Sequence, residues 1–247
     1  METTLLVVIF CGPDGAGKTT QVKLLTEYFK SRGYKTSRSW IRALHSLAFI
    51  ISEFLVARGY FRIVSNPVGG GHKVFDLSRI PKLRRAWPLV EFVSTIPLII
   101  TRVIIPSLLG RIVVSERYTI DSIISISYLV DNHDFQKSRL ASIMLALIPK
   151  DSCFIYLDSD YNEILKRRGV DSEPEDFIRI QREMCDDFSI KFQFLKIDTT
   201  LHSIEETHLM IRARAESELS KGRKLTSSLS LHPKRNDRKM KDAGAQI

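Results

Sequence analysis

The sequence predicts an α/β fold in three layers: a five-stranded parallel sheet flanked by helices on both faces. Three observations predict it. A wholly apolar, β-branched run opens the chain at residues 5–10 (LLVVIF). Short apolar runs recur downstream, separated by stretches of helical periodicity. A glycine-rich turn joins the first run to the first helix, at the kind of junction where such sheets bind ligands. With 247 residues, 44% of them hydrophobic, the chain can bury one full core.

Residues 5–10 read as a buried parallel strand. The segment Gly12-Pro13-Asp14-Gly15-Ala16-Gly17-Lys18-Thr19-Thr20 then fits G-x-x-x-x-G-K-[ST], the loop that wraps a nucleotide's phosphates. Its glycines let backbone N–H groups point inward, and the helix that follows adds partial positive charge at its start. In that motif Lys18 reaches the β- and γ-phosphates and the Thr19 hydroxyl ligates Mg²⁺. Residues 18–32 carry Val22, Leu24, Leu25, Tyr28 and Phe29 at helical spacing, and Gly33 stops the helix. Further strands are expected at 35–40, 111–115, 153–158 and 194–198. Helices are expected at about 42–64, 76–109, 119–148, 160–190 and 203–220. Residues 65–74, with three adjacent glycines, read as a connector, a phosphate contact being the alternative.

The chain carries 37 Lys and Arg against 28 Asp and Glu, a net charge of +9. Eight of the basic residues and two Asp lie in 221–247, which read as a basic disordered tail beyond a single domain at 1–220. The body is then close to neutral, so no nucleic-acid partner is expected. Cys11, Cys153 and Cys185 lack metal-ligand spacing and read as core residues in a reducing, cytoplasmic compartment. Residues 89–109 imitate a membrane span, but Glu91, Pro97, Arg102 and Pro106 point to a buried helix pair or a kinked core helix and no transmembrane span. The apolar stretch 44–64 leaves a membrane-surface contact open.

Three further signals narrow the class. Asp14 sits inside the phosphate loop; the third strand runs into Glu116-Arg117-Tyr118; and residues 166–177 join Lys166-Arg167-Arg168-Gly169 to an acidic stretch with Glu173, Glu175 and Asp176. Together these resemble the thymidylate kinase family over residues 3–217. The resemblance implies a P-loop kinase-like three-layer sandwich, ATP as phosphoryl donor, Mg²⁺, a nucleoside monophosphate acceptor (dTMP as first guess) and a homodimer. It implies that Arg117 clamps a phosphate, that Glu116 stands near Mg²⁺ or the acceptor, and that Asp14 holds the acceptor's sugar hydroxyl or a metal-bound water. Residues 166–177 would form a lid whose Arg167 and Arg168 stabilise transition-state charge. Gly15 occupies a position where some members place an arginine. The acceptor's phosphate would fall to Arg38 or Arg42, and its base would stack on Phe92. The base-reading arginine of the family falls on Ile96, which cannot hydrogen-bond, so the acceptor stays open.

Two other readings stand beside this one. Glu before Arg at 116–117 also matches deoxynucleoside kinases, although the first acids after Trp40 are Glu53 and Asp76. A nucleotide-binding protein that has lost kinase chemistry would also be compatible with the apolar segments and Ile96.

Overall fold

The structure is a computed structural model that describes residues 6–65 and 71–230. Five parallel strands form the central sheet: β1 (Val7–Cys11), β2 (Thr36–Ser39), β5 (Ile112–Ser115), β6 (Ser152–Asp158) and β7 (Leu195–Asp198), in the order β2-β5-β1-β6-β7. The registers pair Val7 with Val113 on one side of β1 and with Ser152 on the other. β1 is therefore central and buried along its whole length, which its β-branched composition suits.

Alternation along the strands divides the core. Val8, Phe10, Val114 and Ile155 pack under helices α1 (Lys18–Ser31) and α9 (Ile204–Ser230). Val7, Ile9, Val113 and Phe154 face the other way, toward α3 (Pro81–Ile99), α5 (Thr119–Leu129), α6 (Arg139–Ala146) and α8 (Glu175–Phe192). Two core layers around one sheet give the three-layer sandwich the sequence predicts.

Local chemistry sets the helix ends. The Ser138 hydroxyl caps α6 by accepting from Ala141 N at 3.1 Å, and Asp160 caps α7 (Tyr161–Arg168) by accepting from Asn162 N at 2.8 Å. Ser203 and Glu206 cap α9 reciprocally, Ser203 N donating to Glu206 at 2.9 Å and Glu206 N to Ser203 at 3.2 Å.

Several expectations need correction. The stretches 119–148 and 160–190 are each two helices, α5 with α6 and α7 with α8. The stretch 42–64 is not one helix: α2 (Ser46–Ala57) ends at Gly59, whose φ of 89° suits glycine. An antiparallel hairpin follows, β3 (Phe61–Ser65) with β4 (Gly71–Phe75). Of the expected 65–74 connector, residues 65 and 71–74 lie in these two strands, and residues 66–70 lie outside the described residues. The stretch 89–109 is not a buried helix. α3 continues through a π-turn (Ile100–Ile104) into α4 (Ile105–Leu108) and buries one side only. Pro106 has no N–H for the carbonyl one turn back, which loosens the ladder there. Finally, α9 continues to Ser230, past the expected boundary at 220, because Lys, Arg and Leu favour helix and no proline intervenes. Residues 231–247 of the expected tail lie outside the described residues. All three cysteines are free and buried.

A buried carboxylate ties α3 to the loop after β2. Glu91 accepts from Leu44 N at 3.0 and 3.1 Å and from Trp87 Nε1 at 3.0 Å. Burial raises its pKa from 4.5 to about 7, the two N–H donors opposing that shift. The folded chain thus keeps this proton up to about pH 7, whereas the unfolded chain loses it above 4.5. Between those values the folded state binds more protons, so this group's contribution is full below pH 4.5 and is lost as pH rises through 7. The expected loss is on the order of 3 kcal/mol. Chemical denaturation across this range should show it, and Glu91→Gln should flatten it; an identical slope in the variant would contradict the assignment.

Candidate active site

Every strand of the central sheet ends on the same side, and the site gathers there. After β1 the chain turns at Gly12, where an added Cβ would lie 1.9 Å from the Leu157 carbonyl oxygen. Only glycine permits this close approach of loop and β6. The loop then feeds α1 through Gly17, aiming a helix start at the cleft.

Lys18, the first residue of α1, folds under the loop. Its ammonium donates to the carbonyls of Gly12 and Pro13, each at 2.7 Å, and lies 3.5 Å from Asp14 Oδ1. Burial lowers its pKa, with the Arg117 charge acting in the same direction. The charge therefore sits inside the curve of the loop, beneath the place the motif gives to phosphates.

Arg117 follows the end of β5 and is 2% exposed. Its guanidinium forks between Asp121 Oδ1 at 2.8 Å and Asp14 Oδ1, with Glu173 at 3.9 Å. Arg42 reaches the same carboxylates from the loop after β2, at 3.4 Å from Asp14 Oδ2 and in close contact with Glu173. Burial would raise the Asp14 pKa, but Arg117, Lys18 and Arg42 outweigh it and hold the group well below the usual carboxylate range. Three cations thus surround one acid inside the phosphate loop.

Along the loop lies a cleft of about 480 Å³, lined by Asp14, Lys18, Thr19, Glu116, Arg168 and Thr199 among others. Arg167 donates to the Gly15 carbonyl at 3.1 Å and to Thr199 O at 3.1 Å. The Arg168 stem fills the space that a Gly15 side chain would need, its Cγ lying 3.0 Å from an added Cβ. A glycine at 15 and an arginine from α7 are therefore complementary.

Thr19 Oγ1 donates to Glu116 Oε1 at 2.5 Å. This pair of hard oxygens opens on the cleft and suits Mg²⁺, which takes one or two protein oxygens and completes its shell with phosphates and water. Among the described residues no group of three or more His, Cys, Asp or Glu side chains could hold a metal.

The sequence-predicted residues separate into groups. Lys18, Asp14, Arg42 and Arg117 form one ion-paired cluster; Thr19, Thr20, Glu116, Arg167 and Arg168 line a cleft that Asp14 and Lys18 also reach; Gly12, Gly15, Ala16 and Gly17 belong to the loop. Arg38 is exposed on the edge strand β2 and has no hydrogen bond or ion pair to this group. Phe92 is half-buried on α3, next to Glu91 and one turn before Ile96. Tyr118 is core packing: it is fully buried and its hydroxyl donates to Leu147 O at 3.0 Å.

Two residues received no role from the sequence. Glu173, at the end of the 166–177 segment, accepts from Asp14 N at 3.1 Å as well as pairing with Arg42. Gln181 on α8 is fully buried and donates to the Gly12 carbonyl at 3.3 Å. Its signal was available, since it is the polar member of the buried stripe Phe177, Gln181, Met184, Phe188.

No protein-family model matches the chain. Curated relatives do. A "Probable thymidylate kinase" of Thermococcus onnurineus is 26% identical over 232 residues, covering 87% of this chain and 100% of that protein. A protein of the same name from Pyrococcus horikoshii is 25% identical over 223 residues, covering 86% of this chain and 96% of its own. Over most of its length the chain is similar to these probable thymidylate kinases. A crystal structure of thymidylate kinase from Ehrlichia chaffeensis is 16% identical, with a TM-score of 0.49 over 91% of this chain and 98% of its own. The five-stranded parallel sheet, the phosphate loop after β1 and the Glu-Arg pair after β5 frame the site.

Proposed function

We propose that the protein is an ATP-dependent nucleoside monophosphate kinase, with dTMP as the first candidate acceptor. The observation that carries this is the gathering of cations around one loop: Lys18, Arg42 and Arg117 about Asp14, and Arg167 and Arg168 at Gly15. Joining two anions needs that arrangement.

In this reading the ATP phosphates lie along the loop's N–H groups, with Lys18 leaving the Gly12 and Pro13 carbonyls to meet them. Mg²⁺ at Thr19 and Glu116 would offset the charge of the donor phosphates. Arg42 and Arg117 hold the acceptor phosphate, with Asp14 at its sugar hydroxyl and Phe92 beside its base. An oxygen of the acceptor phosphate attacks the γ-phosphorus in line. The bond to the bridging oxygen of ADP breaks, and no covalent enzyme intermediate forms. Arg167 and Arg168 follow the charge as it spreads over the transferring group. Ile96 offers no polar contact to a base, so base discrimination should be modest.

Glu173 stands where the acceptor phosphate would bind, on Arg42 and the Asp14 N–H. The two carboxylate and phosphate groups compete for those donors. Glu173→Gln is therefore expected to lower the acceptor KM by about tenfold with little change in kcat. An unchanged or higher KM would contradict this competition.

Glu116 ahead of Arg117 also favours a deoxynucleoside kinase. Such an enzyme needs a base near the sugar hydroxyl, and Glu53 is exposed on α2. Steady-state ADP release with Mg-ATP and a panel of nucleosides and monophosphates decides the matter. Turnover with monophosphates alone supports the proposal; turnover with nucleosides alone, or none beside tight ATP binding, refutes it. The resemblance also implies a homodimer. The exposed apolar residues of α2 and α3, among them Ile50, Phe54 and Leu89, offer a surface for one.

A further inference from the structure

Arg42, one of the cations gathered at Asp14, stands on the loop between β2 and α2, and that loop is held from α3. Arg102, in the π-turn, donates to the Trp40 carbonyl at 3.1 Å. Glu91 accepts from Leu44 N with both of its oxygens, at 3.0 and 3.1 Å. One turn further along α3, Ser94 Oγ accepts from Ala48 N at 2.9 Å and donates to the Val90 carbonyl at 2.6 Å. Ala48 N is among the first amides of α2, which have no partner within their own helix. His45, just ahead of α2, supplies no side-chain cap. The caps for this loop and for the start of α2 therefore come from another helix.

The loop needs them because its backbone is strained. Leu44 and Ser46 have φ of 62° and 50°, the left-handed region that residues with a Cβ avoid. Such backbone persists where its surroundings over-determine it, and it gathers at functional sites. Glu91 is fully buried, and its donors, Leu44 N and Trp87 Nε1, are both neutral. Burying an acid against neutral N–H groups is costly. What it supplies in return is a two-oxygen grip on one strained amide, two residues after Arg42. Ahead of Arg42 the chain is fixed by Ile41 N, which donates to the Arg117 carbonyl at 3.3 Å. Arg42 is thus held from both sides, and its guanidinium reaches Asp14 Oδ2 at 3.4 Å and contacts Glu173.

We propose that Glu91 is a positioning residue for the acceptor: its hold on Leu44 N fixes the loop that aims Arg42 at the acceptor phosphate. The inference rests on the kinase reading above. Steady-state transfer from Mg-ATP to dTMP tests it, above about pH 7 where the carboxyl is ionised. Glu91→Leu fills the volume but leaves both N–H groups unpaired. The acceptor KM should rise at least about tenfold, with kcat and the ATP KM within about threefold. Glu91→Gln keeps nearly the same shape but sets an NH2 group against Leu44 N, and the acceptor KM should rise about threefold. In an Arg42→Ala background either substitution should leave the acceptor KM within about 1.5-fold, because the residue through which Glu91 acts is already gone. The Gln variant carries this cycle if the Leu variant does not fold. Effects that multiply in the double variants would assign the change to another neighbour, such as Phe92, and overturn the proposal. An unchanged acceptor KM, or equal rises in both KM values, would also overturn it. No transfer by the unaltered chain refutes the kinase reading and this inference with it; transfer with an acceptor KM indifferent to Glu91 refutes this inference alone.

Discussion

Lys18→Ala is expected to reduce phosphoryl transfer by at least about three orders of magnitude, to the edge of detection. The ammonium is the one cation inside the curve of the loop, held at 2.7 Å by two of its carbonyls. Its neighbouring cations are engaged elsewhere: Arg117 with Asp14 and Asp121, and Arg167 with the Gly15 and Thr199 carbonyls. ATP affinity should fall as well, because the same charge meets the bound phosphates before and during transfer. ADP release and nucleotide titration read the two effects separately. A variant rate within about threefold of the parent would remove Lys18 from the chemistry.

Arg117→Ala should damage both stability and rate. Its guanidinium neutralises Asp121, which is 1% exposed, and most of the charge on Asp14. Removing it strands a buried carboxylate, which costs about 3–5 kcal/mol. Burial already pushes Asp121 upward while Arg117 pulls it down, so in the variant the carboxyl should take up a proton. Transfer should fall by at least about two orders of magnitude even where the variant is still folded. Arg117→Lys separates the two effects. It restores a charge beside Asp121 and thus part of the stability, but it lacks the planar fork for a phosphate. Denaturant melts and kcat/KM should therefore part company in this variant; parallel recovery of both would reduce Arg117 to a structural ion pair.

What could be read from the sequence follows the range of the interactions involved. β1, the loop and α1 were legible because each is set by neighbours a few residues away: β-branched burial, the glycine turn, the spacing of Val22, Leu25 and Phe29. The hairpin β3–β4 was missed although Gly59 gives a stop signal after α2. The apolar residues on both sides of that glycine hid it within a longer helical pattern. α3 was misjudged for a related reason. Its apolar residues run around the whole helix, so periodicity cannot tell the core side from the side that faces out. In the site, motif spacing located Lys18, Thr19 and Arg117. Glu173 meets the loop across 159 residues and Gln181 across 169. Such contacts are made by tertiary folding; the polar break in the α8 stripe marks Gln181 as unusual, but no local pattern gives the partner of either residue. Between Arg38 and Arg42 the sequence could not choose; the strand β2 leaves Arg38 outward, and the loop beyond it carries Arg42 to Asp14.

Single-turnover transfer from ATP labelled at the γ-phosphorus, with enzyme in excess and dTMP present, tests the proposed chemistry most directly. Label should pass straight from ATP to the nucleoside diphosphate, at a rate that collapses in Lys18→Ala, with none retained on the protein. Label that stays in ATP, is released as inorganic phosphate, or appears only on a nucleoside supplied instead would contradict a monophosphate kinase at this loop.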